Sequence, residues 1–495
     1  MRIAATIHYY KSLSRQAEST QTMKSHVAVL SSLCLGSLIP LFEFSKRLVL
    51  HHGLHISFLI TTTTADDSSP SAANSQLLQP SNLPSDLHLV RLPPVDVDKV
   101  TNNEMQLLTR ICTITEESLL SLKSVLMDIG IPKALIVDPV TTQAFDVCSE
   151  LSIPAYLFNT SPFSFFAFSL YFVDLDSTVE GDLADLPEPI QVPGCSPVRI
   201  EDLLDQVRIR NSEEYKWFLF HTSRCHLADG IFFNSWEDLE PVPLKAIREN
   251  PFFKSVTPPV YPVGPVIKQE EHDESAAEYI SWLDEQPPNS VLFVALGSGG
   301  TLSGEQMIEL AWGLELSRQR FIWVVRKPTE VSSSGTFFNV GSDANSPEEY
   351  LPEGFLEKTR GVGVVVPSWA SQVAVLRHPS TGGFISHCGW NSTLESIVHG
   401  VPIIAWPLYA EQKMNATVLA EDIGVAVKPE VKAGQTVVGR KEIARVVTMV
   451  MEGDEGDEIR RRVRELKETA AKALGASGSS HESICRVVEE WKALS

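Results

Sequence analysis

Short runs that are hydrophobic at nearly every position recur along this chain, and helical spacing fills the stretches between them. That alternation narrows the fold more than any other feature. A strand apolar on both faces must be covered on both sides, which a parallel sheet flanked by helices provides. The first half carries such runs at 27–30, 56–60, 87–92, 134–137, 155–158 and 231–233. The second half repeats the plan at 291–296, 321–325, 362–366, 383–386 and 402–405. Between them lie helical faces such as Met307, Leu310, Ala311 and Leu314, spaced i, i+3, i+4, i+7. Two sets predict an α/β protein with two doubly wound, Rossmann-like domains, and 495 residues suffice for both.

Breaks in the pattern divide the chain. Residues 1–22 read as a disordered extension before Met23, and 23–255 as the first domain. The linker is expected at 256–284, where prolines at 258, 259, 262 and 265 precede the acidic run 270–274. The second domain then spans 285–474, with a long polar loop at 327–347. Residues 475–495 form a hinge and a last helix, whose face of Ile484, Val487, Val488 and Trp491 should pack back toward the first domain.

Charge and cysteines exclude several function classes. The net charge is −21, which repels nucleic-acid phosphates and anionic lipid. Seven cysteines occur with no CxxC pair, as expected of reduced thiols in a cytoplasmic protein. No apolar run reaches the length of a membrane-spanning helix; the richest, 163–173, is too short and carries serines.

The densest chemistry lies in 369–412. Residues 383–386 read as a strand, His387-Cys-Gly-Trp as a tight turn, and Asn391 onward as a helix. Asn391 or Ser392 would be its N-cap, and Ser392 to Glu395 fits a capping box. Free N–H groups and the helix dipole make such a terminus a seat for phosphate, with His387 and Asn391 as added donors. A diphosphate could sit there without a metal. Helix capping alone accounts for Asn391, Ser392 and Glu395 as well.

This whole stretch, W-A-S-Q, then H-P-S-T-G-G-F-I-S-H-C-G-W-N-S-T-L-E and finally W-P-L-Y-A-E-Q, resembles the plant secondary-product box of UDP-dependent glycosyltransferases. The resemblance continues through Pro262-Val-Gly-Pro, Trp282-Leu-Asp, Gly297-Ser-Gly-Gly-Thr and Phe321-Ile-Trp-Val. It implies two domains facing across a cleft (GT-B type) and inverting, metal-independent transfer, with UDP-glucose as co-substrate and no further cofactor. It further implies that Trp369 stacks the uracil, with Ala370 and Gln372 beside it, and that Glu395 accepts from the ribose hydroxyls. His387, Asn391, Ser392 and Ser298 would hold the diphosphate. Trp390, Glu411 and Gln412 would contact the sugar, Gln412 favouring glucose. Two competing motifs fall away. Leu302 stands where a dinucleotide fingerprint starting at Gly297 needs its third glycine, and Asp96/Asp98 and Asp174/Asp176 match a D-x-D clamp only as chance pairs in an acidic chain.

One departure bears on mechanism. The family pattern after the first strand is G-x-G-H, the histidine acting as general base; here Ser37 takes its place and Cys34 that of a usual glycine. A neutral hydroxyl cannot serve as a base. The family's second catalytic residue, an aspartate that orients the histidine, corresponds to Asp138. Three routes follow: Asp138 deprotonates the acceptor directly or through water near Ser37, the acceptor arrives ionised, or transfer is slow or lost. The aromatic run 156–172 would suit a flat acceptor or simply a core. The leading reading is a cytoplasmic, monomeric glucosyltransferase acting on a small phenolic acceptor, similar to the hydroquinone and monolignol subgroup. The alternative is a catalytically silent relative that binds a UDP-sugar or a phenolic as a sensor or partner subunit.

Overall fold

The computed structural model describes residues 24–64, 83–102, 104–269, 276–329, 347–431 and 435–494. The expected 1–22 extension, the acidic run 270–274 and nearly all of the loop at 327–347 lie outside the described residues. The first sheet comprises β1 (His26–Ser31), β2 (His55–Ile60), β3 (Leu87–Arg91), β4 (Leu135–Val137), β5 (Ala155–Asn159), β6 (Gly230–Phe233) and β7 (Val260–Pro262). Its strand order is β3-β2-β1-β4-β5-β6-β7. The second comprises β8 (Val291–Ala295), β9 (Arg320–Val325), β10 (Gly363–Pro367), β11 (Thr381–Ser386), β12 (Ile403–Ala405) and β13 (Ala426–Val427), ordered β10-β9-β8-β11-β12-β13. All pairings within both sheets are parallel. Each of the eleven apolar runs falls on a strand, so the two-domain α/β expectation holds.

β7 and β13 have no counterpart in the sequence pattern. They are three and two residues long and sit at sheet edges, where Pro262 is tolerated because an edge need not donate on both sides. β7 lies within the expected 256–284 linker, and the helix Ala277–Asp284 packs on the second sheet through Tyr279 and Leu283.

The helices that position the site are α1 (Leu35–His52), α2 (Phe163–Thr178), α3 (Gly304–Ser317), α4 (Trp390–His399), α5 (Gln412–Thr417), α6 (Asp454–Leu474) and α7 (Ser479–Ala493). α1 buries Leu38, Leu41, Phe44 and Leu48 against Val27, Val29 and Phe58. The same cluster takes in Ile484, Val487, Val488 and Trp491, so α7 returns from the second domain and completes the core of the first. On α2, Phe163, Phe166, Phe168 and Phe172 are at most 3% exposed, and Tyr156 and Phe158 are buried beneath the helices. Most of the aromatic run is therefore core packing, with Phe165 and Tyr171 half-buried at its edge.

In both sheets the strand order reverses next to the first strand, at β1/β4 and at β8/β11, which is where open α/β sheets bind ligands at their carboxyl ends. The domains are joined across the cleft by hydrogen bonds. Asn391 Nδ2 donates to the Gly36 carbonyl (2.9 Å), Trp390 Nε1 to the Asn234 carbonyl (2.8 Å), and Trp236 Nε1 to Thr469 Oγ1 (2.9 Å). Among the described residues no helix is long and apolar enough to cross a membrane.

Candidate active site

A cavity of about 560 Å³ opens where the carboxyl ends of the two sheets meet. The first domain contributes Cys34 from the loop after β1 and Gly36 and Ser37 from the first turn of α1; the second domain contributes the loop after β8, the turn after β10, and the β11–α4 turn.

The β11–α4 turn is built around an imidazole. A Cβ at Gly297, whose φ is +77°, would come within 2.5 Å of the His387 ring, and one at Gly389 within 2.4 Å. Only glycine admits the ring from either side. Burial, with Arg326 nearby, lowers the His387 pKa to about 4, so the imidazole is neutral at pH 7. Its Nδ1 has no hydrogen-bond partner among the described residues, which leaves it open to a ligand.

Gly389 also decides where the helix begins. It is the N-cap, without a side-chain cap, and α4 starts at Trp390. The expected capping box from Ser392 to Glu395 is therefore not formed: both side chains turn to Gln372. Its Nε2 donates to Ser392 Oγ (2.9 Å) and to Glu395 Oε2 (2.6 Å). Residues three apart share a helix face, so the spacing that suggested a box suits a common partner equally.

Burial raises the Glu395 pKa to about 7, against the opposing effects of the Gln372 hydrogen bond and Lys268. The sign follows directly. A carboxyl whose folded pKa lies above its unfolded value costs stability once both are ionised, and the cost disappears below the unfolded pKa. Glu395→Gln should thus stabilise the protein by on the order of 1–3 kcal/mol at pH 8 and leave it unchanged near pH 4. Urea melts at the two pH values check this; an equal effect at both would refute the assignment.

Ser298, Ala370, Gln372, Asn391 and Ser392 line the cavity together with His387 and Glu395. Trp369 also lines it and is 47% exposed, so one indole face is available. Glu411 and Gln412 lie at the start of α5. Gln412 Oε1 accepts from the N–H groups of Leu408 (2.9 Å) and Tyr409 (3.1 Å), so the preceding turn fixes the orientation of its amide. Glu411 accepts from Asn415 Nδ2 at 3.3 Å. Trp390 borders the cavity, but its indole is buried and committed to Asn234. Arg326, at the end of β9, escaped the sequence reading. It lines the cavity and donates to the carbonyls of Ser298 and Ser368, tying the β8 loop to the turn that carries Trp369. A cationic pair, Arg326-Lys327, closing an apolar strand at the ligand-binding edge of an α/β sheet was its available signal.

The chain as a whole is similar to known proteins. A family model described as UDP-glucoronosyl and UDP-glucosyl transferase matches residues 250–455. UDP-glycosyltransferase 72B1 of Arabidopsis thaliana is 45% identical over 94% of this chain and 96% of its own length. Hydroquinone glucosyltransferase of Rauvolfia serpentina is 44% identical over 94% of this chain and 98% of its own. The chain belongs to the UDP-glycosyltransferase family. A crystal structure of TcCGT1 in complex with UDP aligns with a TM-score of 0.87 at 47% identity, over 95% of this chain and 99% of that one. The structure of Phytolacca americana UGT2 complexed with UDP-2fluoro-glucose and pterostilbene aligns at 0.84 and 39% identity, over 95% and 100%. The fold of this UDP-glycosyltransferase is therefore of the GT-B type.

The first-domain wall of the cavity separates Ser37 from Asp138, the two residues paired by the resemblance. Ser37 lines the cavity from the first turn of α1. Asp138 is fully buried and does not line it. The Asp138 carboxylate accepts from the N–H of Ser32 (Oδ2, 2.7 Å) and of Val140 (Oδ1, 3.0 Å), and no hydrogen bond joins it to Ser37 among the described residues. Burial pushes its pKa up. Cys34, between them in the wall, has its thiol pushed up to about 12 by burial and by the Asp138 charge, so it stays protonated. The D-x-D acids lie elsewhere: Asp96 pairs with Lys99, and Asp176 with Arg210 and the Tyr215 hydroxyl.

Proposed function

We propose that this UDP-glycosyltransferase transfers glucose from UDP-glucose, with inversion and without a metal, to the hydroxyl of a small phenolic acceptor. The observation that carries the reading is the cavity shared by both domains: neutral His387, Asn391 and the α4 terminus on one wall, Ser37 on the other. Trp369 stacks on the uracil, with Ala370 and Gln372 beside it, and Glu395 accepts from the ribose hydroxyls. His387, Asn391, Ser392 and Ser298 donate to the diphosphate. The α4 dipole favours the charge that develops as UDP leaves. Trp390, Glu411 and Gln412 contact the sugar. The hydroquinone glucosyltransferase of Rauvolfia serpentina, 44% identical, supports the donor and acceptor classes.

Acceptor activation has to do without an imidazole. With Asp138 sealed behind backbone N–H groups, the acceptor supplies its own ionisation, and Ser37 hydrogen-bonds the phenolate. Turnover should then rise with pH up to the acceptor's own pKa, and a more acidic phenol should reach its plateau at lower pH. Incubation with UDP-glucose and phenols of graded acidity measures this. A profile independent of the phenol would refute it. No product with any phenol, combined with intact UDP binding, would instead favour the silent sensor or partner subunit, a reading that Ser37 also supports.

The donor half is tested separately. Base stacking on an aromatic side chain is worth about 1–3 kcal/mol. Trp369→Ala should weaken UDP binding in titration calorimetry by about 5- to 150-fold, and unchanged affinity would remove Trp369 from the site. We further read the protein as a cytoplasmic monomer, in keeping with its seven unpaired cysteines.

A further inference from the structure

A second cavity, about 380 Å³, lies on the seam between the domains. Its volume falls within the range of small-molecule sites. Phe165, Val192 and Val198 line it from the first domain, and Met414 and Val418 from the second. Its rim is closed by contacts across the seam. Arg199 grips Glu421 bidentately (2.8 and 2.7 Å), Ser196 donates to Asp422 (2.9 Å), and Thr417 donates to Asp202 (2.7 Å). Arg199 is the only cation among the lining residues and it is already paired, beside three carboxylates, so an anionic ligand is disfavoured.

The wall contains one unmet demand. Asn415 is fully buried, and its Nδ2 donates to the Cys388 carbonyl (2.9 Å) and to Glu411 Oε1 (3.3 Å). Its Oδ1 has no donor among the described residues. A buried acceptor without a partner is costly, and a ligand O–H would satisfy it. Because Asn415 also holds Glu411, it stands between this cavity and the donor cavity, which Glu411 lines.

We propose that this cavity binds a small uncharged aromatic alcohol, its ring against Phe165, Val192 and Met414 and its hydroxyl donating to Asn415 Oδ1. The site is distinct from the transfer centre and depends on no residue assigned to it. Its occupant touches both domains and so holds them together.

Cys195 reports on occupancy, since it lines the cavity and is partly accessible; burial pushes its thiol up to about 12, so its labelling is slow and is followed over hours. The test is the rate of N-ethylmaleimide addition at Cys195, read by peptide mass spectrometry, with 2-naphthol as probe and Cys485 as the internal control. 2-Naphthol should slow labelling of Cys195 at least fivefold and leave Cys485 unchanged. Naphthalene should protect about tenfold less well for want of the hydroxyl, and 2-naphthoate should not protect. Val192→Trp, which fills the cavity, should abolish protection; if that variant does not fold, Val198→Trp serves. Labelling unaffected by 2-naphthol, equal protection by naphthalene or naphthoate, or protection retained in a folded tryptophan variant would each overturn the proposal.

Discussion

Ser37→His should raise the turnover of a weakly acidic phenol by about 10² to 10⁴, the usual contribution of a positioned general base. Residue 37 is in the first turn of α1 and borders the cavity, so an imidazole there would project toward the acceptor. The positive end of the helix dipole disfavours its protonated form and keeps it available as a base near pH 7. The shape of the pH profile distinguishes this from a general gain in stability. In the variant the rate should follow the imidazole's ionisation and lose its dependence on the phenol's pKa, whereas the parent follows the phenol. Steady-state kinetics on two phenols of different acidity reads both effects, and an unchanged rate with both would show that residue 37 does not face the reacting hydroxyl.

Trp491→Ala should lower stability by about 3–5 kcal/mol, as expected for deleting a buried tryptophan. The side chain is 1% exposed, lies edge-on to Tyr156 at 5.2 Å between ring centroids, and reaches Phe232 at 6.0 Å. Those partners belong to β5 and β6, more than two hundred residues earlier in the chain. The loss should therefore appear as an earlier urea transition of the first domain, with UDP affinity of the folded protein little changed. A midpoint that does not move would mean that α7 contributes nothing to that core.

Most of the architecture was legible because runs such as 27–30 and 291–296 are apolar at every position, a pattern with few solutions in a soluble chain. β13 was not, because two residues carry no periodicity. The run 163–172 is largely core: Phe163, Phe166, Phe168 and Phe172 are buried, and only Ser164, Phe165 and Tyr171 on its other side stay half-buried, a division that so weakly amphipathic a stretch does not announce. At the site, the turn-and-helix pattern pointed to the cavity for His387 and Asn391, and the family resemblance did so for Trp369. Neither could reveal that the Asp138 carboxylate is closed off, because Ser32 reaches it only once β1 and β4 lie side by side. Likewise the S-x-x-E spacing at 392–395 is common to a cap and to a shared partner, and Gln372 lies too far upstream to be read as that partner.

The path of the chain carries a mechanical consequence. It passes between the domains after β7 and again between α6 and α7, and where α7 begins Ser480 Oγ donates to the Gly264 carbonyl at 2.6 Å. Both passages are thus riveted at one corner of the molecule. The two halves can part only like covers on a shared spine: the Asn391 to Gly36 and Arg199 to Glu421 contacts must come undone as the book opens, while the rivet can stay whole.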